Sequence, residues 1–423
     1  MEQATFTGSV NVLRDVRYDQ CLQRSAAPPA ANEGIGMTER PFAEIAGAGL
    51  AGLAMAAALA QRGWRVRVHE KSKDLREIGA GIYLWRNALD ALREIKVYEK
   101  VASSGVASTK SRLLLDHNHH EVKLARAADP LPELIVMLRT ELHRILAEKA
   151  VESGAEIVTD SLVLGADPEG RLEFESGWGP RADLCIGADG VFSRVRDSLG
   201  LGKSITTLRD GCGRHLVDRK PEDSVNERRV EMWNHGRRLG IAPASKDYHY
   251  IFLCCPESDY QGRVQQPFNR ETWFQSHPQY GIYLDRLPRH PEEYWRPFFN
   301  VTCLSWSRGR VGIVGDAAHG MAPNIGQGAA VAIVNAIVLA RTLAMNKDVP
   351  SALKLWETSE RPYVDATQRV SYLYGVIGTR WPRSLLGLRS KILPLLARTD
   401  IWQRTVRVAI DHRSTLNAAD TIS

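Results

Sequence analysis

Paired cysteines are what this 423-residue chain most plainly lacks. Its six cysteines, Cys21, Cys185, Cys212, Cys254, Cys255 and Cys303, form no C-x-x-C pair. That excludes a disulfide scaffold and points to a reduced, cytoplasmic protein with no metal site. The vicinal Cys254 and Cys255 lie in an apolar run from Tyr250, so they read as buried packing. No apolar run has the length expected of a membrane span. The first 36 residues contain Pro28 and Pro29 and no apolar core of a secretory signal; they read as a flexible arm, and Met37 is an equally good start. There is also no dense Lys/Arg run: the formal charge of +6 comes from 55 basic against 49 acidic residues. A nucleic-acid partner is therefore not expected, and a mildly basic enzyme handling anionic cofactors and acids is.

What is present is an ordinary globular composition, 44% hydrophobic and 25% charged, long enough for two or three packed units. The stretch Ala43 to Lys71 organises it. A short extended run is followed by Gly47-Ala48-Gly49-Leu50-Ala51-Gly52, which has the G-x-G-x-x-G spacing. An Ala/Leu-rich helical segment runs to Arg62, Gly63 stops it, and a second strand ends at Glu70. Each part suits a dinucleotide. Gly47 permits the tight turn, Gly49 lets a pyrophosphate approach the backbone, and Gly52 lets helix and strand pack closely. The free N–H groups of the helix start favour phosphate. Glu70, roughly 20 residues on, is placed to accept from ribose hydroxyls.

Two later stretches repeat this α/β grammar. Asp183 to Leu199 runs from an apolar strand into Gly187-Ala188-Asp189-Gly190 and a helix; Asp189 there is either a ligand residue or a cap for the turn. Arg310 to Ala340 has a buried strand, Gly315-Asp316 at its end, a loop with His319, Pro323 and Asn324, then Gly326-Gln327-Gly328 opening a long apolar helix. An Asp beyond a strand and a Gly-rich helix start belong at the ligand crevice of an open sheet. His319 reads as a structural histidine. Between these stretches, Thr206 to Asn300 alternates like an antiparallel sheet.

The expected fold is thus α/β: a Rossmann-like domain assembled from residues 41–110, 136–205 and 301–350, an inserted, mostly antiparallel substrate domain from residues 111–135 and 206–300, an N-terminal arm over residues 1–40 and a helical region over residues 351–423.

Taken together, GAGLAG with Glu70, GADGVFSRVR and GDAAHGMAPNIGQGA resemble, in that order, the FAD-dependent aromatic hydroxylases of the para-hydroxybenzoate hydroxylase fold. The likeness covers about residues 41 to 375. It implies FAD as cofactor, NADH or NADPH as transient co-substrate, O2, and activation of oxygen as a flavin C4a-hydroperoxide. By position, Gly47, Ala48, Gly49, Leu50, Ala51 and Gly52 would hold the pyrophosphate, Glu70 with Lys71 the adenosine ribose, and Arg76 and Arg139 phosphate or ribityl groups. Asp189 would serve cofactor handling, Asp316 the ribityl chain, and Pro323, Gly326 and Gly328 the isoalloxazine ring.

Within that family the strings GWRVRVHEKS, GAGIYLW, EMWN and VAIVNA are similar to the hydroxylases of pyridine-carboxylates. Leu239 to Ala242 lacks the tyrosine associated with pyridine recognition there, so hydroxypyridine-carboxylates and hydroxybenzoates both stay open. The resemblance implies a small aromatic or N-heteroaromatic acid as substrate, hydroxylated with or without ring opening. Tyr83, after the GAGI turn, is the first substrate candidate. Arg214, able to pair a carboxylate bidentately, is the second; Trp233 and Pro323 follow, and His215 is a candidate base. A monomer or homodimer is expected, without membrane or nucleic acid. The alternative is a reductase or dehydrogenase of the same fold without oxygen transfer.

Overall fold

The structure is a computed structural model that describes residues 40–75, 80–110, 112–123, 132–264, 267–288 and 295–400. The expected N-terminal arm, Cys21 and Arg76 lie outside the described residues.

One six-stranded sheet carries the nucleotide-type motifs, in the order β17-β18-β11-β1-β2-β7. Its strands are β1 (Phe42–Ala46), β2 (Arg65–His69), β7 (Glu156–Val158), β11 (Leu184–Gly187), β17 (Ser307–Arg308) and β18 (Val311–Ile313). All pairings are parallel except β17 with β18. Strands β1 and β11 are buried along their whole length, which is why they read as unbroken apolar runs rather than alternating ones. The helix Leu50–Ala60 is apolar nearly all round because it packs against both Arg139–Glu152 and Gly328–Met345.

The helix Gly328–Met345 corrects one expectation. Its 18 residues, with a mean hydropathy of 1.8, are long and apolar enough to cross a bilayer by composition. Yet 72% of it is buried in the protein, between Leu50–Ala60 and the long helix Val349–Thr379. It is a core helix, and its apolarity answers to packing.

The second six-stranded sheet has the order β16-β12-β15-β14-β13-β5: β5 (Leu113–Leu115), β12 (Gly202–Asp218), β13 (Val230–Asn234), β14 (Arg237–Pro243), β15 (Tyr248–Pro256) and β16 (Arg296–Cys303). It is antiparallel apart from β5 against β13. Because side chains alternate along each strand, the sheet has two different faces. Val217, Met232, Leu239, Ile241, Ile251 and Leu253 pack with Trp273, Tyr280 and Tyr283 into a core. The other face carries Cys212, Arg214, Glu231, Arg238, Tyr250 and Phe252, and it looks into a cavity.

Two three-stranded sheets complete the body. One pairs β3 (Gly81–Trp85), β6 (Leu134–Leu138) and β4 (Val106–Ala107); the other pairs β8 (Gly165–Asp167), β9 (Arg171–Phe174) and β10 (Gly177–Trp178). Strand β3 packs on the helix Gly328–Met345 and on β12, so Tyr83 and Trp85 reach the cavity between the large sheets. The helix Val349–Thr379 starts where the Asp348 carboxylate accepts from the Ser351 N–H at 3.0 Å, and Leu386–Leu396 follows it.

Candidate active site

A cavity of about 1140 Å3 runs from the first G-x-G-x-x-G turn to the inner face of the second sheet. It slightly exceeds the upper end of roughly 1,000 Å3 seen for small-molecule pockets, room for an extended dinucleotide and a second, smaller molecule. All three glycine-containing motifs line it.

Backbone closeness brings those motifs together. Gly47 sits at φ +103°, and a Cβ there would fall 2.5 Å from the Ala188 carbonyl oxygen. The first motif can therefore touch the second only through glycine. A Cβ on Gly52 would lie 2.1 Å from the Gly47 oxygen, which is the close helix–strand packing that the spacing anticipates. Gly49 is the opposite case: nothing lies within 4 Å of its Cβ position, so its backbone opens on the cavity. From the third motif, a Cβ on Gly315 would fall 2.9 Å from the Ala51 Cβ.

The residues here fit FAD. An open backbone turn at the start of a buried helix is a cradle for phosphate. Glu70 is held at the rim, its two carboxylate oxygens accepting from the Ala48 N–H at 3.1 Å and the Ser72 N–H at 2.9 Å. Asp189 accepts from the Arg194 and Val195 N–H groups at 2.8 and 3.2 Å through Oδ2, so it does cap the following turn. Its Oδ1, however, is buried without a partner, beside the cavity it lines. Gln327, at the start of the long helix, likewise has a buried Nε2 with no partner, although its Oε1 accepts from Asn87 at 3.3 Å. Buried polar atoms are almost always satisfied, and these two wait where a polar ligand would lie. Lys71, Arg139, Asp316, Pro323, Gly326 and Gly328 also line the cavity.

The far end is aromatic and charged. Tyr83 and Tyr250 meet edge to face at 6.2 Å between ring centres, and Tyr250 meets Phe252 at 6.1 Å. The Trp85 indole N–H donates to the Gly326 carbonyl at 3.1 Å, while a Cβ on Gly326 would meet the Tyr83 ring at 2.6 Å. The aromatic wall thus stands directly against the loop that opens the long helix. Burial pushes the Tyr83 phenol up to about 12, against the pull of Arg229, so at neutral pH it is a hydrogen-bond donor.

Behind that wall lies a buried charge cluster. The Glu231 carboxylate accepts from Arg112 at 2.6 Å, from Arg238 Nε at 3.0 Å, from the Trp233 indole at 2.7 Å and from the Tyr374 hydroxyl at 3.0 Å. Burial opposes its charge, but Arg238 and Arg112 outweigh burial and hold its carboxyl below the usual range. Arg238 also donates to Asn324 Oδ1 at 2.5 Å, which ties the sheet to the Pro323–Gly328 loop.

Among the residues singled out from sequence, Tyr83, Arg214 and Pro323 reach the same cavity. His215 does not line it. As the next residue on β12 it points to the other face, 6.3 Å from the Phe268 ring centre. Trp233 stands behind the wall, its ring 5.1 Å from Tyr374. His319 is buried against Trp306 at 5.5 Å, away from the cavity. Sequence reading passed over Arg112, Arg229, Glu231, Arg238, Tyr250, Phe252 and Tyr374. Arg229-x-Glu231-x-Trp233 and Tyr250-x-Phe252-x-Cys254 alternate as strands do, which puts each set on one face without marking that face as a cavity wall.

Comparison with known proteins gives the class. The chain matches the FAD binding domain family over residues 42–369. It belongs to that family, is an FAD-dependent monooxygenase of the aromatic hydroxylase type, and takes FAD as its cofactor. More particularly, it is 38% identical to the putative 2-heptyl-3-hydroxy-4(1H)-quinolone synthase AqdB1 of Rhodococcus erythropolis, over 78% of this chain and 86% of that one. It is 28% identical to the 6-hydroxynicotinate 3-monooxygenase of Bordetella bronchiseptica, over 79% and 92% of the two chains. Among solved structures, the tetrameric form of 2-methyl-3-hydroxypyridine-5-carboxylic acid oxygenase superposes with a TM-score of 0.76 at 33% identity, covering 88% of this chain and 96% of that one.

Proposed function

We propose that this chain uses NADH or NADPH and O2 to hydroxylate a small aromatic or N-heteroaromatic acid, such as a hydroxypyridine-carboxylate or hydroxybenzoate, with or without ring opening. The observation that carries the reading is the aromatic wall of Tyr83, Tyr250 and Phe252, set against the Pro323–Gly328 loop across one cavity. In this reading, Gly47 to Gly52 hold the pyrophosphate, Glu70 and Lys71 the adenosine ribose, Arg139, Asp189 and Asp316 the middle of the cofactor, and Pro323, Gly326 and Gly328 its ring. Arg76 belongs to the same set by position in the sequence.

When bound, FAD supplies the redox chemistry and the activation of O2; the chain's own residues do the rest. The start of the helix Gly328–Met345 aims its backbone N–H groups at the cavity and favours developing negative charge there. Tyr83, kept protonated, donates a hydrogen bond to a ring oxygen and so fixes which carbon faces the reactive centre. The buried aromatic wall keeps water out, and Arg214 is placed to pair with an acid group. The buried, free thiols among the described cysteines agree with a reducing compartment, and we read the enzyme as cytoplasmic.

A second reading, a bicyclic quinolone, is favoured by the likeness to the Rhodococcus protein. Both are tested by presenting hydroxybenzoates, hydroxypyridine-carboxylates and 4-quinolones to the holoenzyme, following NAD(P)H oxidation and product mass. Acids that stimulate oxidation and gain one oxygen support the first reading. If Tyr83→Phe and Arg214→Ala both leave the apparent affinity unchanged, the assigned pocket is wrong.

A further inference from the structure

Five arginines line the cavity among the described residues: Arg112, Arg139, Arg214, Arg229 and Arg238. Arg112 and Arg238 share the Glu231 carboxylate. Arg139 and Arg214 have partners of their own. Arg229 differs: it is only 9% exposed, and its one side-chain hydrogen bond is from Nε to the Ser108 hydroxyl at 3.0 Å. Among the described residues, its terminal nitrogens donate to none and no carboxylate pairs with it.

Its surroundings fix its orientation. The guanidinium carbon lies 5.6 Å from the Tyr83 ring centre and 5.3 Å from that of Trp85, a cation within reach of two aromatic rings. Those same two side chains pack or hydrogen-bond onto Gly326. Burial pulls the guanidinium down to about 10, with Tyr83 opposing and Arg112 adding to the fall; at neutral pH it still carries its charge. A buried cation without an anion is costly. Arg112, Arg229 and Arg238 together bring three positive charges around the Glu231 carboxylate.

We propose that Arg229 decides the specificity of this cavity: beside Arg214, which lines the same cavity, it receives an anionic group of the substrate through its terminal NH2 groups, so that the enzyme takes its ring substrate as an anion. This rests on the hydroxylase reading above and deepens it by naming the charge the substrate carries and the residue that reads it. A guanidinium suits the place because it stacks on aromatic rings and its fork matches a carboxylate bidentately; a lysine ammonium offers only a point charge.

The test pairs acids with their neutral amides. 6-Hydroxynicotinate and 6-hydroxynicotinamide, and 4-hydroxybenzoate and 4-hydroxybenzamide, are titrated into FAD-loaded wild type, Arg229→Gln and Arg229→Lys, following the flavin absorbance change. Flavin-to-protein ratio reports folding. The wild type is expected to prefer an acid over its amide by at least about tenfold, the worth of a charge-assisted hydrogen bond. In Arg229→Gln that preference disappears through weaker acid binding, amide binding staying within about threefold, and Arg229→Lys restores only part of it. Acid and amide weakening alike, or acid binding untouched in Arg229→Gln, overturns the proposal while leaving hydroxylation of acids intact. Turnover of a neutral 4-quinolone in preference to every acid also overturns it and selects the second reading. NAD(P)H oxidation with none of these compounds instead removes the hydroxylase reading on which it rests.

Discussion

Glu231 is where the cavity's charges are settled, since its nearly fully buried carboxylate accepts from two arginines, an indole and a phenol. Removing one member of a buried ion pair leaves the others uncompensated. Glu231→Gln is therefore expected to lower folding stability by about 3–5 kcal/mol, the range for breaking such pairs. Urea unfolding measures this, and a loss within the ±0.5 kcal/mol typical of surface substitutions would show that the cluster is solvated. Tyr83→Phe tests a different property. The phenol is a donor at neutral pH, so its loss should lower kcat/KM by about tenfold, one to two hydrogen-bond equivalents, with flavin content unchanged. These residues were hard to see in the sequence for a physical reason. Polar residues alternating along a strand look the same whether they face solvent or an internal cavity, so Arg229, Glu231 and Arg238 read as ordinary strand charges. Alternation also decides between neighbours: Arg214 and His215 are consecutive on β12, so only one of them can face the cavity.

The elements themselves were more legible. The turn from β1 into the helix Leu50–Ala60, the Asp after β11 and the Gly-rich start of Gly328–Met345 each announce themselves by local chemistry, glycines where backbones touch and apolar runs where strands are buried on both sides. A Cβ at Gly52 would strike the Gly47 carbonyl, so Gly52→Ala must push helix from strand. It is expected to cost about 1–3 kcal/mol, the range for overpacking, and to lower the flavin retained on purification. A full flavin complement in a stable Gly52→Ala protein would show that this close packing does not hold the cofactor. Strand β5 falls within residues 111–135, expected as strands of the substrate domain, but how it pairs was less legible. Its three residues join the second sheet in parallel with β13, a long-range pairing that no local pattern encodes.

On the scale of the whole molecule, two large sheets leave one long cavity with the nucleotide-type turn at one end and the aromatic wall at the other. The body is expected to lose stability in acid. Burial lowers His319 from 6.5 to about 4 and His277 from 6.5 to about 3. Both stay neutral in the folded protein at pH values where the unfolded chain takes up protons. The folded values lie below the unfolded ones, so stability is lost as pH falls through 6.5 toward 4. The slope is about 1.4 kcal/mol per pH unit for each such proton. His319→Gln removes one of these protons, and the pH dependence of its urea midpoint between pH 6 and pH 4.5 should be shallower than the wild type's. An unchanged slope would mean that His319 titrates normally.

The central claim, that the two ends of this cavity work together as a hydroxylase of ring acids, is tested most directly with isotopic oxygen. The FAD-loaded enzyme is given NAD(P)H, 18O2 and each member of the panel of hydroxylated acids, and the products are weighed. The expected product carries one 18O atom per molecule of NAD(P)H oxidised. NAD(P)H oxidation that yields only hydrogen peroxide with every acid returned unchanged would contradict it.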